Sequence, residues 1–403
     1  MPISLYFPAK APRSRGDARV EAELRRRIRA QGRITFAEFM ETALYLPQGG
    51  YYEKHVGIGR AGDFLTSPEV HPVFGALLAR LVFLMWHALG APRPFAIVEY
   101  GAGTGALCRQ ILTSAPQIDA GFAFALRYEI VERSAFLRAQ QEENLAGAPG
   151  RVNWVDPGDP VDPAVGCVLS NEVVDALPVH RVLIGAEGTR ELYVGLAGDR
   201  YLELRGPLSQ PGISEYLSAA QVRPAAGSVV EVNLAARDWL SDVSRRLAHG
   251  YAVTVDFGGE ANELLGTATP RGGLKCFYRH GWSDDPFDRP GLQDITAPVD
   301  FTFLRRFGAE VGLATQAQMT QCDLLTSLGV RSVLSRIEAS DLRADARQLN
   351  LSAIEALAAP GALGGHRVLI QNRDAPDFAL DEQTEPGEFP LPLLRKRDEA
   401  WPQ

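Results

Sequence analysis

The side chains best placed to do chemistry are acids that end hydrophobic runs. Glu99 stands two residues ahead of Gly101 in the stretch FAIVEYGAGTG (95–105). Glu132 ends ALRYEIVE, Asp156 ends RVNWVD, and Asn171 with Glu172 ends VGCVLSNE. A carboxylate at the end of a buried run is costly unless something pairs with it, so four such ends point to a polar ligand lying across them. Gly101, Gly103 and Gly105 allow left-handed backbone and let that ligand approach with no Cβ in the way. GAGTGA satisfies G-x-G-x-x-A, a form of the dinucleotide fingerprint in which a pyrophosphate sits on a helix N-terminus. It equally satisfies E-x-G-x-G-x-G, the loop that holds S-adenosylmethionine. Glu99 discriminates between them. Phosphates are repelled by a nearby carboxylate, whereas an ammonium and a sulfonium are neutralised by it. The electrostatics favour the methyl donor over a nicotinamide dinucleotide. Glu132, about thirty residues beyond the first glycine, suits ribose hydroxyls under either reading, and Asp156 suits an adenine amino group.

Those acids need a scaffold, and the pattern supplies one. From Phe95 onward, strand-like runs alternate with helix-like ones: strands at 95–100, 125–132, 151–156, 165–172 and 251–258, with Asp256 ending the fifth. The alternation predicts an α/β fold with a parallel, doubly wound, Rossmann-like sheet, whose ligand lies at the carboxyl ends of its strands. Residues 1–90 read as an N-terminal helical and lid region. Helices are expected at about 17–31 and from Thr35, where Glu38 completes a capping box. The glycine- and tyrosine-rich loop GGYYEKHVGIGRAGDFLTSPE (49–69) makes a poor core segment and suits a ligand lid. Ser67-Pro68 is expected to open a buried helix reaching Leu89, the serine acting as its cap. Residues 91–372 form the main domain, with insertions at about 178–230, where 178–207 reads as an antiparallel meander, and at 272–360. SVVEVN leads into a helix capped by Asn233 and ended by Gly250. A strand at LATQAQM and a last one at HRVLIQN precede an extended tail, 373–403.

Composition narrows the class. The 403 residues are 46% hydrophobic and 22% charged, as in ordinary globular proteins, and the net charge of −8 argues against a nucleic-acid partner. Cys108, Cys167, Cys276 and Cys322 are widely spaced, which points to a reducing compartment and away from structural zinc. The longest apolar run, 73–89, is interrupted by Arg80 and His87, so no membrane span is expected. With no signal-peptide core, and with Asp17, Glu21 and Glu23 in the Arg-rich N-terminal stretch, the expected location is cytoplasmic.

Several segments, in order, extend the glycine loop into a longer match: GYY (50–52), GDFLTSPEV (62–70), VEYGAGTGAL (98–107), VERSAFLRAQQ (131–141), NEVVDALPVHR (171–181), VDFG (255–258) and GGLKCFYRHG…PGLQDITAPVDFTFL (272–304). With these the chain resembles the MidA-type S-adenosylmethionine-dependent methyltransferases, whose mitochondrial members are complex I assembly factors acting as protein-arginine methyltransferases. It departs from that family at Phe257, where tyrosine is usual, and at Gly273, where the family reads G-T-L.

The resemblance implies a class I methyltransferase fold, S-adenosyl-L-methionine as cofactor, and a protein acceptor, in that family a respiratory-complex subunit. Arginine is a demanding acceptor because its guanidinium is always protonated in water. Paired carboxylates would grip the fork and aim one nitrogen at the methyl group. Glu172 and Asp175 are the candidates, brought together if Glu172 opens a helical turn; Asp175 could instead simply cap that turn. Asp63, Phe64 and Thr66 are expected to cover the donor, the phenyl ring near adenine or the sulfonium. His180 is a candidate base or a plain hydrogen-bonded strand histidine. His280, beside Asp284 and Asp285, lacks a second histidine for a metal site. A non-catalytic, cofactor-binding assembly factor fits the same residues.

Overall fold

The computed structural model describes residues 15–54, 57, 59, 62, 63, 65–186, 188–266, 269–279, 281–380 and 392–394. Seven runs form the central sheet: β1 Phe95–Tyr100, β2 Leu126–Val131, β3 Val152–Val155, β4 Ala164–Asn171, β5 Leu247–Asp256, β6 Ala314–Thr320 and β7 Arg367–Arg373. Their spatial order is β3-β2-β1-β4-β5-β7-β6. β1 to β5 are parallel, and β7 runs antiparallel to both its neighbours. The chain winds outward from β1 to β3, then returns to lay β4 on the other side of β1. That reversal opens a crevice at the carboxyl ends of β1 and β4, where such sheets bind ligands.

Both faces of the sheet are covered. Helices α1 Ala18–Gln31 and α2 Phe36–Tyr45 come first, then α3 Val73–Ala88, α4 Ala106–Ile118 and α5 Ala135–Asn144, and later α6 Ala235–Arg246 and α7 Phe301–Glu310. On one face Ile97, Ile130, Leu169 and Val253 meet α3 and α4; on the other Val98, Val131, Val168 and Ala252 meet Trp239 and Leu240 of α6 and Leu304 of α7. Because successive strand residues point to opposite faces, Glu99 shares the first face with Ile97. The helix starts follow their capping residues. Thr35 and Glu38 form the expected capping box on α2, Ser134 accepts from the Leu137 N–H at 3.2 Å, and Asn233 accepts from Ala236 N–H at 3.0 Å.

The 178–207 meander is present as strands His180–Gly185, Gly188–Ala197 and Arg200–Gly206. It recruits two further strands, Ile34–Thr35 and Val229–Val232. The latter was read only as a lead-in to α6; its alternation serves a second sheet instead. Val20, Leu24, Phe39 and Met40 of the N-terminal helices share one core with Val194 and Tyr201 of this sheet and with Val179 just ahead of it. Cys276 and Ile295 join the same core from a third sheet, Lys275–Tyr278, Gly281–Ser283 and Asp294–Thr296.

Two helix boundaries differ from expectation. The helix from Ser67 breaks at His71-Pro72 into Ser67–Val70 and α3. Its N-cap position is Thr66, while the Ser67 hydroxyl donates to Gln321 Oε1 at 3.0 Å. Gly250 does not end α6, which stops at Arg246; it lies inside β5 with φ +147°, where a Cβ would come within 1.9 Å of the Gly166 carbonyl oxygen.

Candidate active site

The carboxyl ends of β1, β2 and β4 open into a cavity of about 420 Å³. Glu99, Gly101, Gly103, Glu132, Asn171 and Glu172 all line it. The glycine turn earns its composition: φ is +58° at Gly101, +55° at Gly103 and +84° at Gly105, and a Cβ on Gly101 would lie 3.0 Å from Val173 Cγ2. Gly105 is the N-cap of α4 and does not reach the cavity.

Glu99 is 3% exposed and accepts from the Tyr128 hydroxyl at 2.7 Å. Burial pushes its carboxyl up to about 7, against the pull of that hydrogen bond. Glu132 accepts from the Ser134 N–H at 2.9 Å and from Gln141 Nε2 at 3.0 Å, and burial raises it as well. Asn171 Nδ2 donates to Glu172 at 2.9 Å, which leaves Asn171 Oδ1 buried without a partner. A buried acceptor in that condition needs a donor from elsewhere.

Beyond Asn171 the chain does not open a helical turn at Glu172. Its φ is +54°, a left-handed conformation uncommon for a residue with a Cβ. The carboxylate enters the cavity, where it accepts from the Ser67 N–H at 3.1 Å, tying the Ser67–Val70 helix to the end of β4. The next three residues curl around Asp256. Its Oδ2 accepts from the N–H groups of Val173, Val174 and Asp175 at 3.1, 2.9 and 3.4 Å. Asp256, from the end of β5, caps this turn; Asp175 does not. Asp175 is buried and does not line the cavity, yet lies near enough to Glu172 for that carboxylate to push it up.

A cluster of acids results. Burial raises Glu172 to about 7 and Asp294 to about 7, the latter despite a 2.9 Å hydrogen bond from the Tyr52 hydroxyl. Burial also raises Asp175 and Asp256, and the Asp256 carboxylate adds to the rise at Asp175. Among the described residues, no lysine or arginine lies within ion-pair distance of any of the four. Nor do the described residues form a group arranged to hold a metal ion.

Other expected positions fall as follows. Thr66 lines the cavity. Asp63 does not: it is buried, accepts from the Tyr51 hydroxyl at 2.8 Å and from the Arg279 N–H, and so anchors the loop to the third sheet. Phe64 and His280 lie outside the described residues. Asp156 is exposed at the end of β3, its backbone engaged with Asp159, and its neighbour Pro157 reaches the cavity instead. His180 is held between Glu191 at 2.7 Å and Gln210 at 3.0 Å within the second sheet, away from the cavity. Phe257 carries the Lys275 ammonium 4.1 Å from its ring centroid, and a Cβ on Gly273 would meet the Pro298 ring at 2.7 Å, so the missing threonine methyl and hydroxyl have been closed over.

Sequence reasoning missed much of the cavity lining, Glu69, Tyr45, Tyr52 and Arg133 among it. Glu69 accepts from the Thr104 hydroxyl beside the glycine turn; it stood in the quoted GDFLTSPEV segment. Tyr45 and Tyr52 stack at 5.4 Å along one wall, and Arg133 lies 4.2 Å over Tyr45. Tyr52 was legible in GYY; nothing in sequence order signals Tyr45.

A cationic adenosyl ligand fits these residues. The cradle at Gly101 and Gly103 admits backbone approach, Glu99 supplies a carboxylate with no cation beside it among the described residues, Glu132 can accept from hydroxyls, and Asn171 Oδ1 awaits a donor. The comparisons agree. Residues 77–319 match a family described as S-adenosyl-L-methionine-dependent methyltransferases. The chain is 30% identical over 337 residues to the protein arginine methyltransferase NDUFAF7, mitochondrial, of Rattus norvegicus, covering 75% of this chain and 72% of that protein. Its Drosophila melanogaster homolog is 28% identical over 327 residues, covering 74% and 71%. A Burkholderia thailandensis crystal structure bound to S-adenosyl-homocysteine superposes with a TM-score of 0.81 at 32% identity, covering 92% of this chain and 96% of that one.

Proposed function

Since the chain belongs to the S-adenosyl-L-methionine-dependent methyltransferase family, we propose that its acceptor is an arginine side chain of a protein, received by the acid cluster at the end of β4. The observation that carries this reading is the set of four buried carboxyls, Glu172, Asp175, Asp256 and Asp294, with no cation beside them among the described residues. Leaving such groups without a counter-ion raises their proton affinity; an entering guanidinium supplies the missing charge. The names of the mitochondrial relatives point the same way.

When bound, S-adenosylmethionine supplies an electrophilic methyl group. The chain's own contribution is placement and charge. Glu99, Glu132, Gly101, Gly103, Asn171 and Thr66 hold the donor side. Glu172 faces the cavity and takes one edge of the guanidinium, and its carboxylate is the acceptor for the proton that the nitrogen sheds. Asp175 acts from behind through charge, and Asp256 fixes the turn that aims Glu172. Tyr45 and Tyr52 wall the acceptor side against water. In this division of labour the N-terminal region to residue 90 and the inserted sheets present the acceptor, and residues 91–372 carry the chemistry. The partner is a protein, and a respiratory-complex subunit is the first class to test. The cytoplasmic expectation finds no support in the relatives, which are named mitochondrial; what holds is coarser. All four cysteines are free, and no described helix is long and apolar enough to cross a membrane.

Comparing arginine methylation by mass spectrometry in cells with and without the gene tests the acceptor class: a lost mark on one arginine supports it, and an unchanged set refutes it. Glu172→Gln should keep the thermal shift given by S-adenosylmethionine while transfer to that acceptor disappears. Retained transfer would remove Glu172 from its role.

A further inference from the structure

S-adenosylmethionine carries two positive centres, the sulfonium and the α-ammonium of its amino-acid tail; S-adenosylhomocysteine keeps only the ammonium. Two acids in the wall around the glycine turn each have an oxygen to spare. Glu99 accepts from Tyr128 on one oxygen, and Glu69 accepts from the Thr104 hydroxyl on one oxygen. The second oxygen of each has no donor among the described residues. Glu132, by contrast, is engaged on both oxygens, by Ser134 and by Gln141. The cations that line the cavity are already taken. Arg133 pairs with Glu41 at 2.7 Å and Arg245 with Asp242 at 2.9 Å, so neither neutralises Glu69. Glu69 is half-buried, and burial raises its carboxyl against the pull of the Thr104 hydroxyl.

The placement of Glu69 matches one end of the donor. Its segment, Ser67–Val70, closes the cavity on the β4 side. The Ser67 N–H donates to Glu172 at the end of β4, and the Pro68 carbonyl accepts from Gln110 Nε2 of α4 at 2.8 Å. The two residues ahead of Glu69 are therefore pinned, and its side chain reaches from them to Thr104 in the glycine turn. Glu132 stands at the end of β2, on the far side of β1. A donor whose ribose rests at Glu132 and whose chain crosses the glycine turn brings its tail to the β4 side, where Glu69 lies. We propose that Glu69 is the counter-ion of the donor's α-ammonium and reads the amino-acid tail. It thereby separates S-adenosyl ligands with an intact tail from adenosine derivatives that lack one. The proposal concerns the donor side alone and holds whichever side chain receives the methyl group. A plainer role, propping the glycine turn through Thr104, uses the same hydrogen bond and is what the test must separate.

The test is calorimetric titration of the full chain and of Glu69→Gln, which keeps an oxygen for Thr104 and removes the charge. The ligands are S-adenosylmethionine, S-adenosylhomocysteine, and an analogue of the latter with hydrogen in place of the α-amino group. Glu69→Gln should weaken the first two alike, by about tenfold or more, the scale of one hydrogen bond to a charged group. The analogue without the amino group should bind both proteins within about twofold, which also reports an intact site. A greater loss for S-adenosylmethionine than for S-adenosylhomocysteine would place Glu69 at the sulfonium and overturn the proposal. An equal loss for all three ligands would assign Glu69 to propping the turn, and no loss for any would remove it from donor binding; either result overturns the proposal.

Discussion

Replacing Glu99 by glutamine tests the electrostatic logic of the cofactor site. The carboxyl is fully buried and raised from 4.5 to about 7, with burial as the main cause. Glutamine keeps an oxygen for the 2.7 Å hydrogen bond from Tyr128 while removing the charge. A folded-state value above the unfolded one means that ionisation is costlier in the folded protein. Without ligand, stability is fully retained below 4.5 and is lost as pH rises through about 7. The rise corresponds to at most about 3 kcal/mol, less what local relaxation and water entry recover. Glu99→Gln should therefore be about as stable as the parent at pH 4.5 and up to about 3 kcal/mol more stable at pH 8, by urea unfolding without ligand. Binding reverses the sign. S-adenosylmethionine needs the ionised carboxylate, so parent affinity should exceed the variant's about 10- to 100-fold at pH 8, the scale of one hydrogen-bonded charge, the ratio shrinking as pH falls below about 7. Calorimetric titration at pH 5, 6, 7 and 8 measures this. Equal affinities at pH 8, or a ratio that does not change with pH, would refute the assignment of Glu99 as counter-ion to the donor.

Three further outcomes are expected. Tyr128→Phe removes the hydroxyl that holds the Glu99 carboxylate in its ionised form, so the pH onset of S-adenosylmethionine binding should move upward and affinity at pH 7 should fall about fivefold; an unchanged onset contradicts it. Gly101→Ala places a methyl 3.0 Å from Val173 Cγ2 at φ +58°, costing about 1 kcal/mol of stability and weakening cofactor binding more than tenfold by calorimetry; parent-like binding would show that the cradle is not used. Asp256→Asn puts an amide against three backbone donors, so kcat should fall at least tenfold with the dissociation constant for S-adenosylmethionine within about twofold; loss of cofactor binding instead would mean that the turn supports the donor side.

Local patterns carried much of the fold. The apolar runs that became β1 to β5, the glycine turn into α4 and the capping box on α2 each depend on residues close in sequence, so they were legible. The helix break at His71-Pro72 was signalled by the proline and overridden by the apolar run around it. The strand Val229–Val232 was not legible as a sheet member, because its partner His180–Gly185 lies about fifty residues earlier and nothing local names it.

The site divides the same way. Sequence alone determined the residues proposed for the donor side: Glu99 stands two residues ahead of a glycine turn, and Glu132 and Asn171 sit at strand ends that the alternation already places together. Tertiary structure alone decided the acid cluster proposed to receive the acceptor. Glu172 takes a left-handed φ because Asp256, eighty-odd residues later, gathers the following amides, and Asp63 is drawn to Arg279 more than two hundred residues away rather than to the donor. Asp294 reaches the acid cluster only because a third sheet folds back on the N-terminal core. Hydrogen bonds and burial that close such long loops are set by which surfaces meet in the folded chain, and no spacing in the sequence encodes them.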